Sequence, residues 1–133
     1  MDNIIIEPSN DKFYIPRVEF NAETGYCLIE GESFLEDTYR FYSRLSEWID
    51  QYFSEGKKTL EFNMKFAYFN TSSSKAVLEL LLKLKEYIDK GHEISVIWHY
   101  PEPDHNDMLE EGEDFADDTD LEIQFVPYEE EDE

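Results

Sequence analysis

Four hydroxyl side chains stand in succession in the stretch Tyr68-Phe69-Asn70-Thr71-Ser72-Ser73-Ser74-Lys75. Two kinds of chemistry suit such a run. At the start of a helix, the side chain of Asn70 or Thr71 can accept a hydrogen bond from a free amide two or three residues on, an N-cap. That role occupies one or two residues and needs no third or fourth hydroxyl. The second is phosphate transfer onto an acceptor hydroxyl. A phosphate at a helix N-terminus meets unpaired N–H groups and the positive dipole end, and it adds about −2 charge. Lys75 is the only cation in the stretch.

Other reactive constellations are sparse. His99, Asp104 and His105 fall within one short segment, and imidazole plus carboxylate suits a divalent metal. A Ca²⁺ loop started at Asp104 fails, because the glycine position holds Leu109 and the final glutamate position holds Phe115. We assign no metal ligands and no cofactor from the sequence. Walker A, G-x-G-x-x-G and G-x-S-x-G motifs are absent, and no catalytic residue is assigned. His92, beside Gly91, reads as a helix-end residue. Cys27, the single cysteine, lies between Tyr26 and Leu28 and reads as a buried, inert strand thiol.

The hydroxyls need elements to hold them. Leu60 to Phe66 alternates as part of a strand over 58–69, and Ala76 to Ile88 repeats as part of a helix over 72–90, closed by Gly91. Glu93 to Tyr100 reads as the next strand, ended by Pro101 and Pro103, so the three elements form a right-handed parallel βαβ unit. Upstream, Phe13–Phe20 and Tyr26–Gly31 flank a five-residue turn as a hairpin, and Ile4–Ile6 reads as an edge strand or an arm. Ser33-Phe34-Leu35-Glu36 fits a capping box, followed by a helical series from Phe41 to Phe53. An acidic helix over 107–117 and a strand over Leu121–Phe125 complete the order β-β-α-β-α-β-(α)-β. We expect one α/β domain over residues 1–128, a mixed sheet covered by helices, and a disordered acidic tail over 129–133.

Composition limits the partners. The chain has 133 residues, 11 Lys and Arg against 33 Asp and Glu, and a formal net charge of −22. Residues 1–90 carry a balance of −5, whereas 91–133 carry −17 with no Lys or Arg. Such a surface repels nucleic acid and anionic membrane. With no signal peptide or spanning run, the chain reads as cytoplasmic. A second reading of the charge is an acidic decoy that occupies a basic site on another protein.

Several stretches together resemble one family. Gly31 to Asp37, Phe41-Tyr42 to Trp48-Ile49, Tyr68 to Lys75, Ile97 to Tyr100 and Glu111 to Phe115 occur in matching order. They are similar to the SiaC family of bacterial regulatory phosphoproteins, over roughly residues 4–126. The resemblance implies a STAS-like fold, as in anti-sigma-factor antagonists, and a non-catalytic partner-switching role. It implies that Thr71 is the phosphoacceptor, with Ser72 and Ser73 as fallback acceptors and Asn70, Ser74 and Lys75 as supporting motif members. Unmodified Thr71 is then expected to cap helix 72–90. The implied partners are a serine/threonine kinase, a metal-dependent serine/threonine phosphatase and a diguanylate cyclase. The unphosphorylated form is expected to activate that cyclase, in cyclic di-GMP and biofilm signalling. Where the family reads G-R-S-x-P-E-N, this chain has Glu32, Leu35 and Asp37 in place of arginine, proline and asparagine, which bears on partner choice.

Overall fold

The computed structural model describes residues 1–129. Six strands and three helices follow one another: β1 (Ile4–Ile6), β2 (Arg17–Phe20), β3 (Tyr26–Ser33), α1 (Thr38–Ser54), β4 (Thr59–Phe69), α2 (Thr71–Asp89), β5 (Glu93–Glu102), α3 (Met108–Thr119) and β6 (Ile123–Glu129). The strands form one sheet in chain order, antiparallel from β1 to β3 and parallel from β3 to β6. The mixed α/β sheet and the βαβ unit therefore match expectation, and Ile4–Ile6 resolves as an edge strand, one more than the expected order carried. Residues 130–133 of the acidic tail lie outside the described residues. Glu129, assigned to that tail, is instead the last residue of β6, in register with Glu102.

All three parallel crossovers step in the same direction across the sheet, so right-handedness puts α1, α2 and α3 on one face. They lie side by side, α1 against α2 and α2 against α3. The sheet is thus covered on one face only, not on both as a full sandwich would be. Its alternation follows. Val18, Phe20, Cys27, Ile29, Phe62, Met64 and Trp98 point into the core, while Tyr26, Glu61 and Lys65 point away. Burial in this apolar layer pushes the Cys27 thiol far above its ordinary value, with Glu61 adding to it, which keeps it an inert thiol.

Two corrections concern termini. The capping box does not form: Ser33 ends β3 and is fully buried. The helix begins four residues later, where Asp37 accepts from the Arg40 amide at 3.1 Å. Sheet parity explains this, because Cys27 and Ile29 face inward and Ser33 shares their odd numbering. Secondly, β5 runs through Pro101 to Glu102. Its pairing with β4 ends at Trp98, and beyond that point only β6 is its neighbour. A proline without an N–H is tolerated on a strand with one open side.

Candidate functional site

The junction of β4 and α2 uses a single residue, Asn70, between Phe69 and Thr71. A bulge prepares it. Gly31 pairs with Phe66 but Glu32 pairs with Tyr68, so β4 holds one extra residue and its inward parity changes from Phe66 to Phe69. Phe69 then packs on Phe66, Trp98 and Phe115, with ring centroids 5.4, 6.3 and 6.0 Å away. This packing anchors the strand end from which the helix starts.

Asn70, not Thr71, is the cap. Its Oδ1 accepts from the Ser73 amide at 3.0 Å and its carbonyl from the Ser74 amide at 2.9 Å. Its own amide donates to the Ser33 carbonyl at 3.1 Å. Thr71 becomes the first helical residue, and the expected cap through its hydroxyl does not form. Asn is favoured because its short amide oxygen reaches the N3 amide while the backbone stays extended. The amides of Thr71 and Ser72 precede the first intrahelical acceptor and point out of the helix end.

The four hydroxyls divide by burial. Ser73 is 0% exposed. Its Oγ lies 2.8 Å from Ser33 Oγ and donates to the Ser33 carbonyl at 3.1 Å. Ser33 Oγ in turn lies 2.8 Å from the Tyr42 hydroxyl. One arrangement of protons satisfies all of these contacts, with Tyr42 donating to Ser33, Ser33 to Ser73, and Ser73 to the carbonyl. Burial raises the Tyr42 phenol, against a lowering by its hydrogen bonds with Ser33 and Ser73, so the phenol keeps its proton. This relay ties the end of β3, α1 and the first turn of α2 together in the core. As a fallback acceptor, Ser73 is out of reach of a kinase in the folded chain.

Thr71 and Ser72 are exposed and Ser74 is half-buried. Ser72 Oγ is 2.9 Å from Thr38 Oγ1 at the start of α1 and donates to Asn70 Oδ1 at 3.3 Å. Among the described residues, the Thr71 hydroxyl has no hydrogen-bond partner. Lys75 is exposed one turn along, on the Thr71 side of the helix. Large apolar side chains remain open to solvent at this end: Tyr39, 80% exposed, beside Thr38, and Tyr68, 41% exposed, at the strand end. A groove of about 320 Å³ between α1 and α2 begins at Tyr39 and Ala76.

The other polar candidates separate. His99 and Asn63 meet on the bare sheet face, where His99 Nε2 lies 2.9 Å from Asn63 Oδ1. Asp104 accepts from the Met108 and Leu109 amides at 2.7 and 3.0 Å, spending its carboxylate on the start of α3. No group of three His, Cys, Asp or Glu side chains among the described residues is placed to hold a metal ion. His92 packs tilted against Phe53 and edge-on to Tyr87, with centroids 4.4 and 5.4 Å away, a packing role at the helix end. No described helix is long and apolar enough to cross a membrane.

Ser33 and Thr38 are the members of this corner that pattern reading missed. Ser33 lies in the stretch read as a capping box, where local spacing outweighed strand parity, and Thr38 lies two residues beyond it.

Comparison with known proteins bears on the fold and the family. A curated relative, an uncharacterized protein of Pseudomonas aeruginosa (strain UCBPP-PA14), is 28% identical over 103 residues, spanning 77% of this chain and 81% of that protein. The solved structure of SiaC of Pseudomonas aeruginosa superposes with a TM-score of 0.81 at 25% identity, over 98% of this chain and 100% of that one. A second, at 24% identity and TM-score 0.82, comes from a crystal of the diguanylate cyclase SiaD in complex with its activator SiaC, and covers 96% of this chain and 100% of that one. The family model for SiaC family regulatory phosphoproteins matches residues 7–128. Matching nearly the whole chain, that model shows that the chain belongs to the SiaC family of regulatory phosphoproteins.

Proposed function

We propose that this chain is a non-catalytic, cytoplasmic partner-switching protein whose switch is reversible phosphorylation of Thr71. The observation that carries the reading is the division of the hydroxyls. Thr71 is exposed, unpartnered among the described residues and set on a helix N-terminus. Ser73 is locked in the core, and Ser72 is engaged with Thr38 and Asn70. A phosphate on Thr71 stands next to the unpaired amides of Thr71 and Ser72, with Lys75 one turn away, so it is accepted without unfolding.

In this reading the unmodified corner, with Tyr39 and Tyr68 beside it, forms part of the surface that binds and activates a diguanylate cyclase. A serine/threonine kinase adds the phosphate and a metal-dependent phosphatase removes it. Desolvating an unpaired dianion in an interface costs several kcal/mol. Micromolar binding is worth about 8 kcal/mol, so that cost is enough to release the partner.

The test uses wild-type protein and Thr71→Ala, each treated with the host's serine/threonine kinase and then added to the cyclase. Thr71→Ala takes up no phosphate and keeps stimulating the cyclase after kinase treatment, while wild type stops. Phosphate incorporation into Thr71→Ala at the wild-type level would falsify the assignment.

A further inference from the structure

Among the described residues, the Glu32 carboxylate forms no ion pair or hydrogen bond, although Arg17 and Lys65 on the same sheet face pair with Glu7 and Glu30. Glu32 is also a position where this chain departs from the family pattern, a glutamate in place of arginine. Strand parity turns it outward, because Ser33 beside it points into the core.

Two hollows meet there. One, of about 310 Å³, is lined by Tyr14 and Gly31, the other, of about 370 Å³, by Tyr68 and His105, and Glu32 and Ala67 line both. Small residues leave the space open: nothing lies within 4 Å of where a Cβ on Gly31 would stand. Aromatic rings supply the walls. Tyr68 is in register with Glu32, so the two side chains emerge side by side on the bare face, and Tyr68 is 41% exposed. Tyr14, also 41% exposed, is held to Phe34 by two backbone hydrogen bonds of 2.9 Å. The described residues lining the two hollows include one Glu and no Asp, Lys or Arg, and His105 counts as neutral at pH 7. The groove is therefore negatively charged.

We propose that this groove seats an arginine side chain from a partner protein. A carboxylate without a partner, with a tyrosine ring in each hollow beside it, offers a cation both opposite charge and π-faces. Arginine fits better than lysine, since its planar fork takes a carboxylate bidentately while its flat face stacks on a ring. An arginine within a peptide fits better than the free amino acid, which brings a carboxylate of its own toward Glu32. A chain of net charge −22 also draws a basic segment in and repels an acidic one. The groove shares Tyr68 with the proposed cyclase surface but holds none of the four hydroxyls. The inference thus goes beyond the Thr71 reading and is tested without kinase or cyclase.

The experiment follows amide shifts of isotope-labelled full-length protein by two-dimensional NMR as end-blocked Gly-Arg-Gly is titrated in. End-blocked Gly-Lys-Gly and free arginine are the other arms. We expect shifts at the Gly31, Glu32, Ala67 and Tyr68 amides, with affinity for the arginine peptide about fivefold or more above either alternative. Glu32→Gln should weaken binding by a similar factor and Tyr68→Leu should weaken it too, whereas Glu86→Gln, the same loss of charge on α2, leaves it unchanged. All three positions are exposed, and each variant's spectrum reports its fold directly. Absence of shifts at the groove amides, equal affinity for the lysine peptide, or undiminished affinity in Glu32→Gln overturns the proposal. So do shifts spread evenly over the acidic residues of α3, which mark unspecific attraction of a cation. Shifts at the groove amides on concentrating the protein alone assign the groove to a second copy and overturn it as well.

Discussion

Two of the three strand-to-helix corners at the same end of the sheet, β4–α2 and β5–α3, are opposite in character. At β4–α2, one neutral residue joins the elements, Asn70 caps the helix, and the first turn contains no acidic residue. At β5–α3, the link runs from Pro103 to Asp107, Asp104 reaches forward to cap two amides, and Glu110 and Glu111 stand in the first turn. There the Glu111 carboxyl is pushed upward by burial and then by Asp114, Glu110 and Asp107. A helix end already loaded with carboxylates has no use for further negative charge. A helix end held by a neutral amide keeps its dipole and two amides free of charge. The same local physics thus yields one corner filled with negative charge and one left neutral.

Breaking the β5–α3 corner should have the largest effect. A Cβ on Gly112 would lie 2.6 Å from the Trp98 ring, whose Nε1 donates to the Met108 carbonyl at 2.8 Å. Gly112→Ala forces α3 off the sheet, and we expect a loss of about 3 kcal/mol in urea unfolding. Next comes the contrast inside the hydroxyl run. Ser73→Ala leaves the buried Ser33 hydroxyl without its acceptor, while the Ser33 carbonyl keeps the Asn70 amide, and should cost about 1–2 kcal/mol. Thr71→Ala should stay within about 0.5 kcal/mol of wild type. Equal costs at the two positions would mean that burial does not separate them.

Converting one corner toward the other sharpens the comparison. Asn70→Asp keeps a capping oxygen, so stability should change by less than about 0.5 kcal/mol. It places a carboxylate where the phosphate would settle, and kinase incorporation at Thr71 should fall several-fold, read by phosphate-affinity gel mobility. Unchanged incorporation would show that the kinase does not sense the charge of the corner.

The smallest effect is a titration upstream of the β5–α3 corner. Burial, then Lys65, lowers the His99 pKa from its ordinary 6.5, opposed by Glu30 and Glu61. The folded state therefore prefers the neutral ring, and the unfolded chain binds the proton more readily. This contribution is complete above about 6.5 and is lost as pH falls toward the folded-state value. Two-dimensional NMR of the imidazole should show a midpoint below 6.5, and His99→Gln should flatten the stability slope in that window.

Local signals carried far in this chain. The β4–α2–β5 unit was legible because alternation in Leu60 to Phe66 and helical spacing in Ala76 to Ile88 are both long and uninterrupted. The five-residue hairpin turn was equally plain, and Asn21 Oδ1 indeed accepts from the Glu23 and Thr24 amides there. The capping box misled because Ser-x-x-Glu spacing is a short pattern, and sheet parity, which extends over eight residues of β3, overrode it.

By itself, then, the sequence determined the element types, the parallel crossover, the charge asymmetry and the hydroxyl run with its family likeness. These depend on neighbours along the chain, where periodicity and capping act. Only the tertiary structure decided which hydroxyl is which. Ser33 and Ser73 are 40 residues apart and meet at 2.8 Å, and Thr38 meets Ser72 across two elements. Burial is a property of the packed layers, so four similar side chains in a row become a cap-engaged, a locked, a half-buried and a free hydroxyl only once α1 and α2 lie on the sheet.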